Sequence, residues 1–139
     1  MSTKALTAHS ASTDSPEAAR EIVEALGDDD IAAVTFFASK NHDLATIGDA
    51  IRQAHPDAEV IGCSTAGEFT DSTSTNDGAS AFALTSDAVA AAASGIADVS
   101  GDIEAHVEQA GRDIAEQLDI NLREADHTMY VGVVLIDRL

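Results

Sequence analysis

The side chains best suited to chemistry lie in one run, Gly62-Cys63-Ser64-Thr65-Ala66-Gly67-Glu68, directly after the apolar pair Val60-Ile61. It brings together a thiol, two hydroxyls and a carboxylate between and beside two glycines. Small side chains leave backbone N–H groups open. Successive N–H groups in a turn make a concave donor site for an anion or a carbonyl oxygen. Val60-Ile61 reads as a buried strand that stops at Gly62, so the run is expected as a turn at a strand's carboxyl end.

Three catalytic or nucleotide-binding readings of this run compete. Gly62 and Gly67 have the spacing of a phosphate-binding loop, but Glu68-Phe69 stands where Lys and Ser/Thr are required. A carboxylate there repels a triphosphate, and no helix is expected next to add its dipole. Gly62-Cys63-Ser64-Thr65-Ala66 approximates a nucleophile elbow, with Ala66 replacing the final glycine. An elbow needs a helix immediately after the serine, and the polar stretch Phe69 to Asp77 reads as a surface loop instead. Cys63 with His42, from the loop after the preceding strand, has the composition of a thiol–imidazole pair. The negative surroundings disfavour a thiolate, and a buried structural cysteine is the simpler expectation. A hydrolase using Cys63 and His42, or Ser64, is therefore the rival to non-covalent recognition. His9, His55, His106 and His127 lack metal-ligand spacing, so neither a metal nor another cofactor is expected.

Recognition of a small polar or zwitterionic molecule fits the inventory better. The loops Ser39 to His42 and Cys63 to Glu68 are expected at the carboxyl ends of neighbouring parallel strands. Ser39, His42, Cys63, Ser64, Thr65, Gly67 and Glu68 form the candidate ligand-binding set, with Arg138 or Lys40 as the cation. Ser64 and Thr65 would exchange hydrogen bonds, the Gly67 amide would face an anion, and Glu68 would take an amine.

The elements that must position these residues follow from pattern. Lys4 to Ser12 alternates weakly, as an edge strand does. Ser15 and Pro16 open a helix whose apolar face is Ala19, Ile22, Val23 and Leu26, and Gly27 stops it. Ile31 to Phe37 is a continuous apolar run, a buried strand. Asp43 caps a second helix with Leu44, Ile47, Ile51 and Ala54 inward, ended by His55-Pro56. Strand, helix and Val60-Ile61 make a right-handed βαβ unit with parallel strands. Gly78 to Thr85 and Ala88 to Ile96 read as an antiparallel hairpin turning at Ser86-Asp87. Asp102 caps a third helix carrying Ile103, Val107, Ala110, Ile114 and Leu118, and Val131 to Ile136 reads as a last apolar strand. The expected class is α/β: a mixed, partly parallel sheet with one βαβ unit, a hairpin and helices packed on the sheet.

Composition sets the outer limits. The 139 residues suit a single domain. Seven Lys and Arg against 25 Asp and Glu give a net charge of −18. A polyanion needs a basic patch to release counterions, so nucleic acid is disfavoured, and an anionic membrane surface with it. An acidic, Lys-poor, Ala-rich surface resembles proteins adapted to molar salt, where screening relieves self-repulsion. With Cys63 as the only cysteine and no apolar run long enough to span a bilayer, a reducing cytoplasm is the expected setting.

Ala33-Val34-Thr35-Phe36-Phe37-Ala38-Ser39, then a helix, then His55-Pro56-Asp57-Ala58-Glu59-Val60-Ile61-Gly62-Cys63-Ser64-Thr65-Ala66-Gly67-Glu68, resembles the N-terminal half of the FIST family. That name stands for F-box and intracellular signal transduction proteins. The resemblance covers nearly the whole chain. It implies a sensory module without catalysis of its own, binding amino acids or similar small metabolites. It also implies a partner, either a second FIST half or a signalling output protein. The chain ends at Asp137-Arg138-Leu139 just after an apolar run, so it is expected to be a C-terminally truncated FIST N-like domain.

Overall fold

The computed structural model describes residues 4–70 and 72–136. They divide into two compact units, one up to Ala92 and one from Ala93.

In the first unit the strands are β1 (Ala5–Ser10), β2 (Ile31–Ser39), β3 (Glu59–Thr65), β4 (Glu68–Phe69), β5 (Ser74–Thr75) and β6 (Ala79–Thr85). The helices are α1 (Ser15–Leu26) and α2 (Leu44–Ala54). Four strands form a sheet in the order β1-β6-β2-β3, in which β2 and β3 are parallel and β6 runs antiparallel to both β1 and β2. The expected mixed sheet and its βαβ unit are both present. β4 and β5 make a separate two-stranded hairpin.

Strand alternation decides which side chains face the helices. Ala8 of β1, Ala79, Ala81 and Ala83 of β6, Val34, Phe36 and Ala38 of β2 and Val60 of β3 are buried in one core with Ala18, Ala19, Ile22 and Leu26 of α1 and Ile47 and Ile51 of α2. The three alanines of β6 lay a shallow floor under the branched side chains of the helices. Ile22, Leu26, Ile47 and Ile51 are completely enclosed, and each contributes about 1.5–3 kcal/mol by leaving water. The opposite face presents Thr7, Phe82, Ser80, Thr35, Phe37, Ile61, Cys63 and Thr65, of which only Ser80 is buried.

Capping explains where the helices begin. The Asp14 carboxylate accepts from the Glu17 amide and Asp43 accepts from the Ala45 amide. Asp14, not Ser15, is thus the cap of α1. The Ser15 hydroxyl is engaged elsewhere, with His42 and the Asp43 amide. Gly27 closes α1 at φ 68°, a left-handed conformation that glycine tolerates best.

Three further expectations are corrected. β3 does not stop at Gly62 but runs through to Thr65, because Phe36 on the adjacent strand lays its ring across the glycine. A Cβ at Gly62 would collide with that ring. Ala88 to Ile96 is not a strand. Both edges of β6 are already taken by β1 and β2, leaving no ladder for it. The antiparallel hairpin lies instead in the stretch read as loop, at β4 and β5.

The second unit contains α3 (Ile103–Leu118), capped by Asp102 as expected. The helix packs closely on the segment before it. A Cβ at Gly95 would meet the Ala110 carbonyl at 2.7 Å, and the Gln117 amide donates to the Ser94 carbonyl at 3.0 Å. Ala110 is buried, but Ile103 and Val107, expected inward, are exposed. Val131 to Ile136 is likewise not a strand, and Val131 is 93% exposed. Among the described residues the second unit has no strand for it to pair with.

Candidate functional site

The carboxyl ends of β2 and β3 lie side by side. Their register pairs Phe37 with Cys63, Ala38 with Ser64 and Ser39 with Thr65. The two loops singled out in the sequence therefore leave the sheet from adjacent parallel strands, where ligands gather in open α/β sheets.

Because residues 62–65 are strand, their side chains alternate. Cys63 and Thr65 project to the face away from the helices, and Ser64 projects to the other face, where it is exposed. Only Ala66 and Gly67 separate β3 from β4. Among the described residues the glycines with positive φ are Gly27 and Gly101, so Gly67 is not left-handed. Gly67 instead permits a close approach to the return strand of the hairpin. A Cβ on it would lie 3.3 Å from the Asn76 Oδ1 atom.

What the short turn does is fold Glu68 back on the strand it has just left. The Thr65 hydroxyl donates to the Glu68 Oε1 atom. The Glu68 side chain is only 3% exposed, and its Oε2 atom is buried with no protein donor. Leaving a buried acceptor unpaired costs about 1–3 kcal/mol. Ser39, the register partner of Thr65, is also buried; its amide donates to the Gly78 carbonyl at 2.9 Å and its carbonyl accepts from the His42 amide at 2.9 Å. The strand ends thus hold a polar group of buried Ser39 and Glu68 beside half-buried Thr65, with one Glu68 acceptor unsatisfied.

His42 sits at the helix side of this cluster. Its Nε2 atom lies 3.1 Å from the Asp77 carbonyl, which can only accept, and its Nδ1 atom lies 3.1 Å from the Ser15 hydroxyl. The Ser15 oxygen also accepts from the Asp43 amide at 2.9 Å. The Asp77 carbonyl requires a proton on Nε2. Both nitrogens are engaged in joining the starts of α1 and α2 to the loop before β6, which gives His42 a positioning role.

Nearby, Asp43 is held below the ordinary carboxylate value, first by the Thr46 hydroxyl and then by the Ala45 amide. Lys40 and Asn41 are exposed in the turn after β2, and Arg138 lies outside the described residues. Cys63, the one cysteine of the sequence, is of intermediate burial. Among the described residues no group of His, Cys, Asp and Glu is placed to hold a metal ion.

This geometry weighs against the catalytic rivals. An elbow serine sits on a sharp turn before a helix, whereas Ser64 lies within β3 and a two-residue bend leads to β4. The ring nitrogens of His42 point to Ser15 and Asp77, leaving neither for Cys63. Sequence reasoning missed the hairpin β4–β5 that carries Glu68, since two-residue strands are too short to leave a periodic signal.

No curated protein matches the chain. The family model of the FIST N domain matches residues 32–139. FIST domains form a sensory signal-transduction family rather than one known for catalysis. Among the described residues no helix is long and apolar enough to cross a membrane. The match takes in most of the chain, including both strand ends and both loops of the site, and the chain belongs to the FIST N domain family.

Proposed function

We propose that the chain is a small-ligand sensor without catalysis of its own, binding an amino acid or a similar small polar metabolite at the ends of β2 and β3. The observation that carries this reading is the buried Glu68 carboxylate with one oxygen lacking a donor, next to the Thr65 hydroxyl and the Ser39 register position. An ammonium or hydroxyl of a ligand supplies the missing donor. The Gly67 amide, in the exposed bend, contributes a polar contact, and the exposed Lys40 balances a ligand carboxylate.

Family membership supports the sensory role. Because Glu68 is the first residue of β4, a donor that reorganises the Thr65–Glu68 bond also moves the hairpin. Ligand binding then shifts the population of hairpin positions, and a second FIST half or a signalling output protein reads the shift. A thermal-shift screen of amino acids and small metabolites at molar salt tests the reading. A saturable rise in melting temperature for at least one compound is expected, and no rise with any of them contradicts it.

A further inference from the structure

The chain is poor in rings, with four Phe, one Tyr and no Trp. Three of those rings, Phe37, Phe69 and Phe82, nevertheless wall a single hollow of about 270 Å³ on the sheet face turned away from α1 and α2. The hydroxyl-bearing residues Thr7, Thr70 and Ser80, with Ala81, complete the lining. The register explains the convergence. Phe37 pairs with Ser80, Phe82 pairs with Thr7 on one side and Thr35 on the other, and the β4–β5 hairpin brings Phe69 and Thr70 over them.

Two features of these rings separate them from ordinary core. Phe69 is 80% exposed and Phe82 is 44% exposed, so water loses contact with both when something fills the space between them. No lining residue carries a charge, and the net charge of −18 disfavours anions throughout. A cavity of about 150 Å³ is enough for benzene, so this hollow has room for a ring with a substituent. Aromatic walls favour an offset or edge-on ring, and the rim hydroxyls suit a polar handle on it.

We infer that the hollow is a binding subsite for a flat aromatic group, neutral or cationic, carried by a small ligand. It lies beside the strand-end cluster. Phe37 precedes Ser39 by two residues on the same face, Phe69 follows Glu68 directly, and two residues along a strand span about 6.6 Å. Glu68 is not among the residues that line the hollow, so an occupant of the hollow need not touch it. The inference rests on the sensor reading only in taking the occupant to be a small ligand. Indole has neither a carboxylate nor an ammonium group, so it probes the hollow independently of the polar cluster.

The test titrates indole and benzoate into the full chain at molar KCl, followed by amide and methyl chemical shifts. Saturable indole shifts at Thr7, Phe37, Phe69, Thr70, Ser80 and Phe82 are expected, with benzoate at least tenfold weaker. Phe69→Ala and Phe82→Ala, both at exposed positions, should each weaken indole by about tenfold while leaving the spectrum otherwise folded. The inference is overturned by three results: no saturable indole shift, benzoate binding as tightly as indole, or indole binding unaffected by both substitutions. Failure with indole beside a positive amino-acid screen removes the ring subsite and leaves the sensor reading standing. Success with indole beside a negative screen does the reverse.

Discussion

Thr65 donates its hydroxyl to Glu68 across a two-residue bend, and this bond turns β4 back on the end of β3. The carboxylate it holds is buried and only half satisfied. Replacing Thr65 by Val keeps the shape and removes the donor, leaving both Glu68 oxygens without the bond. Thr65→Val should destabilise the first unit by about 1–3 kcal/mol. Thr65→Ser should recover most of that loss. Denaturant unfolding of the three proteins measures it, and equal stability of the Val variant would contradict the account of the bend.

Gly62 lies beneath the Phe36 ring, which a Cβ would strike. Gly62→Ala should therefore cost about 1–3 kcal/mol through overpacking. Phe36→Leu makes room, so the double variant should be more stable than the sum of the two single effects predicts. Additive losses in a double-mutant cycle would show that the ring and the glycine are not coupled.

His42 joins Ser15 and Asp77 rather than activating Cys63. His42→Ala should lose about 1–3 kcal/mol of stability. Alkylation of Cys63 by iodoacetamide, under conditions where circular dichroism shows both proteins folded, should run no faster than free cysteine in either. A fast wild-type rate that drops in the variant would favour the thiol hydrolase.

Asp43 caps α2 as a carboxylate held below its ordinary value of 3.8, chiefly by the Thr46 hydroxyl. A depressed folded value means the ionised cap contributes its full stabilisation above the unfolded value. The contribution is lost as pH falls through the folded one. The melting-temperature gap between wild type and Asp43→Ala should thus be widest near neutrality and narrow below pH 3.8. A gap that widens on acidification would contradict the assignment.

Much of the fold was legible because it is local. The βαβ unit follows from the apolar run of β2, the Asp43 cap and the faces of α1 and α2, all within short windows. The end of β3 was misread because glycine usually interrupts a strand, and the Phe36 ring that covers Gly62 comes from another strand. The second hairpin strand was misassigned for a similar reason. β6 finds its partner in β1, far away in sequence, and that pairing leaves Ala88 to Ile96 without an edge. Of the site, the adjacency of the loops was readable from parallel pairing, while the burial of Glu68 was not. Nor was the hollow, since Phe37, Phe69 and Phe82 meet only through sheet register and the fold of the short hairpin.

The charge of −18 makes a separate prediction. Raising KCl from roughly 0.1 M to roughly 1 M shortens the screening length from about 10 Å to about 3 Å. Self-repulsion should fall accordingly, and the urea midpoint should rise. A midpoint independent of salt would set aside the halophilic reading of the composition.

The central claim is that the ends of β2 and β3 hold a small metabolite without transforming it. Its most direct test is a ¹⁵N-resolved titration of the intact chain with an amino-acid and metabolite panel at molar KCl. The account predicts at least one compound that shifts the amides of residues 39–42 and 63–70 saturably and is recovered unchanged. No saturable response at those residues, or conversion of the compound, would contradict it.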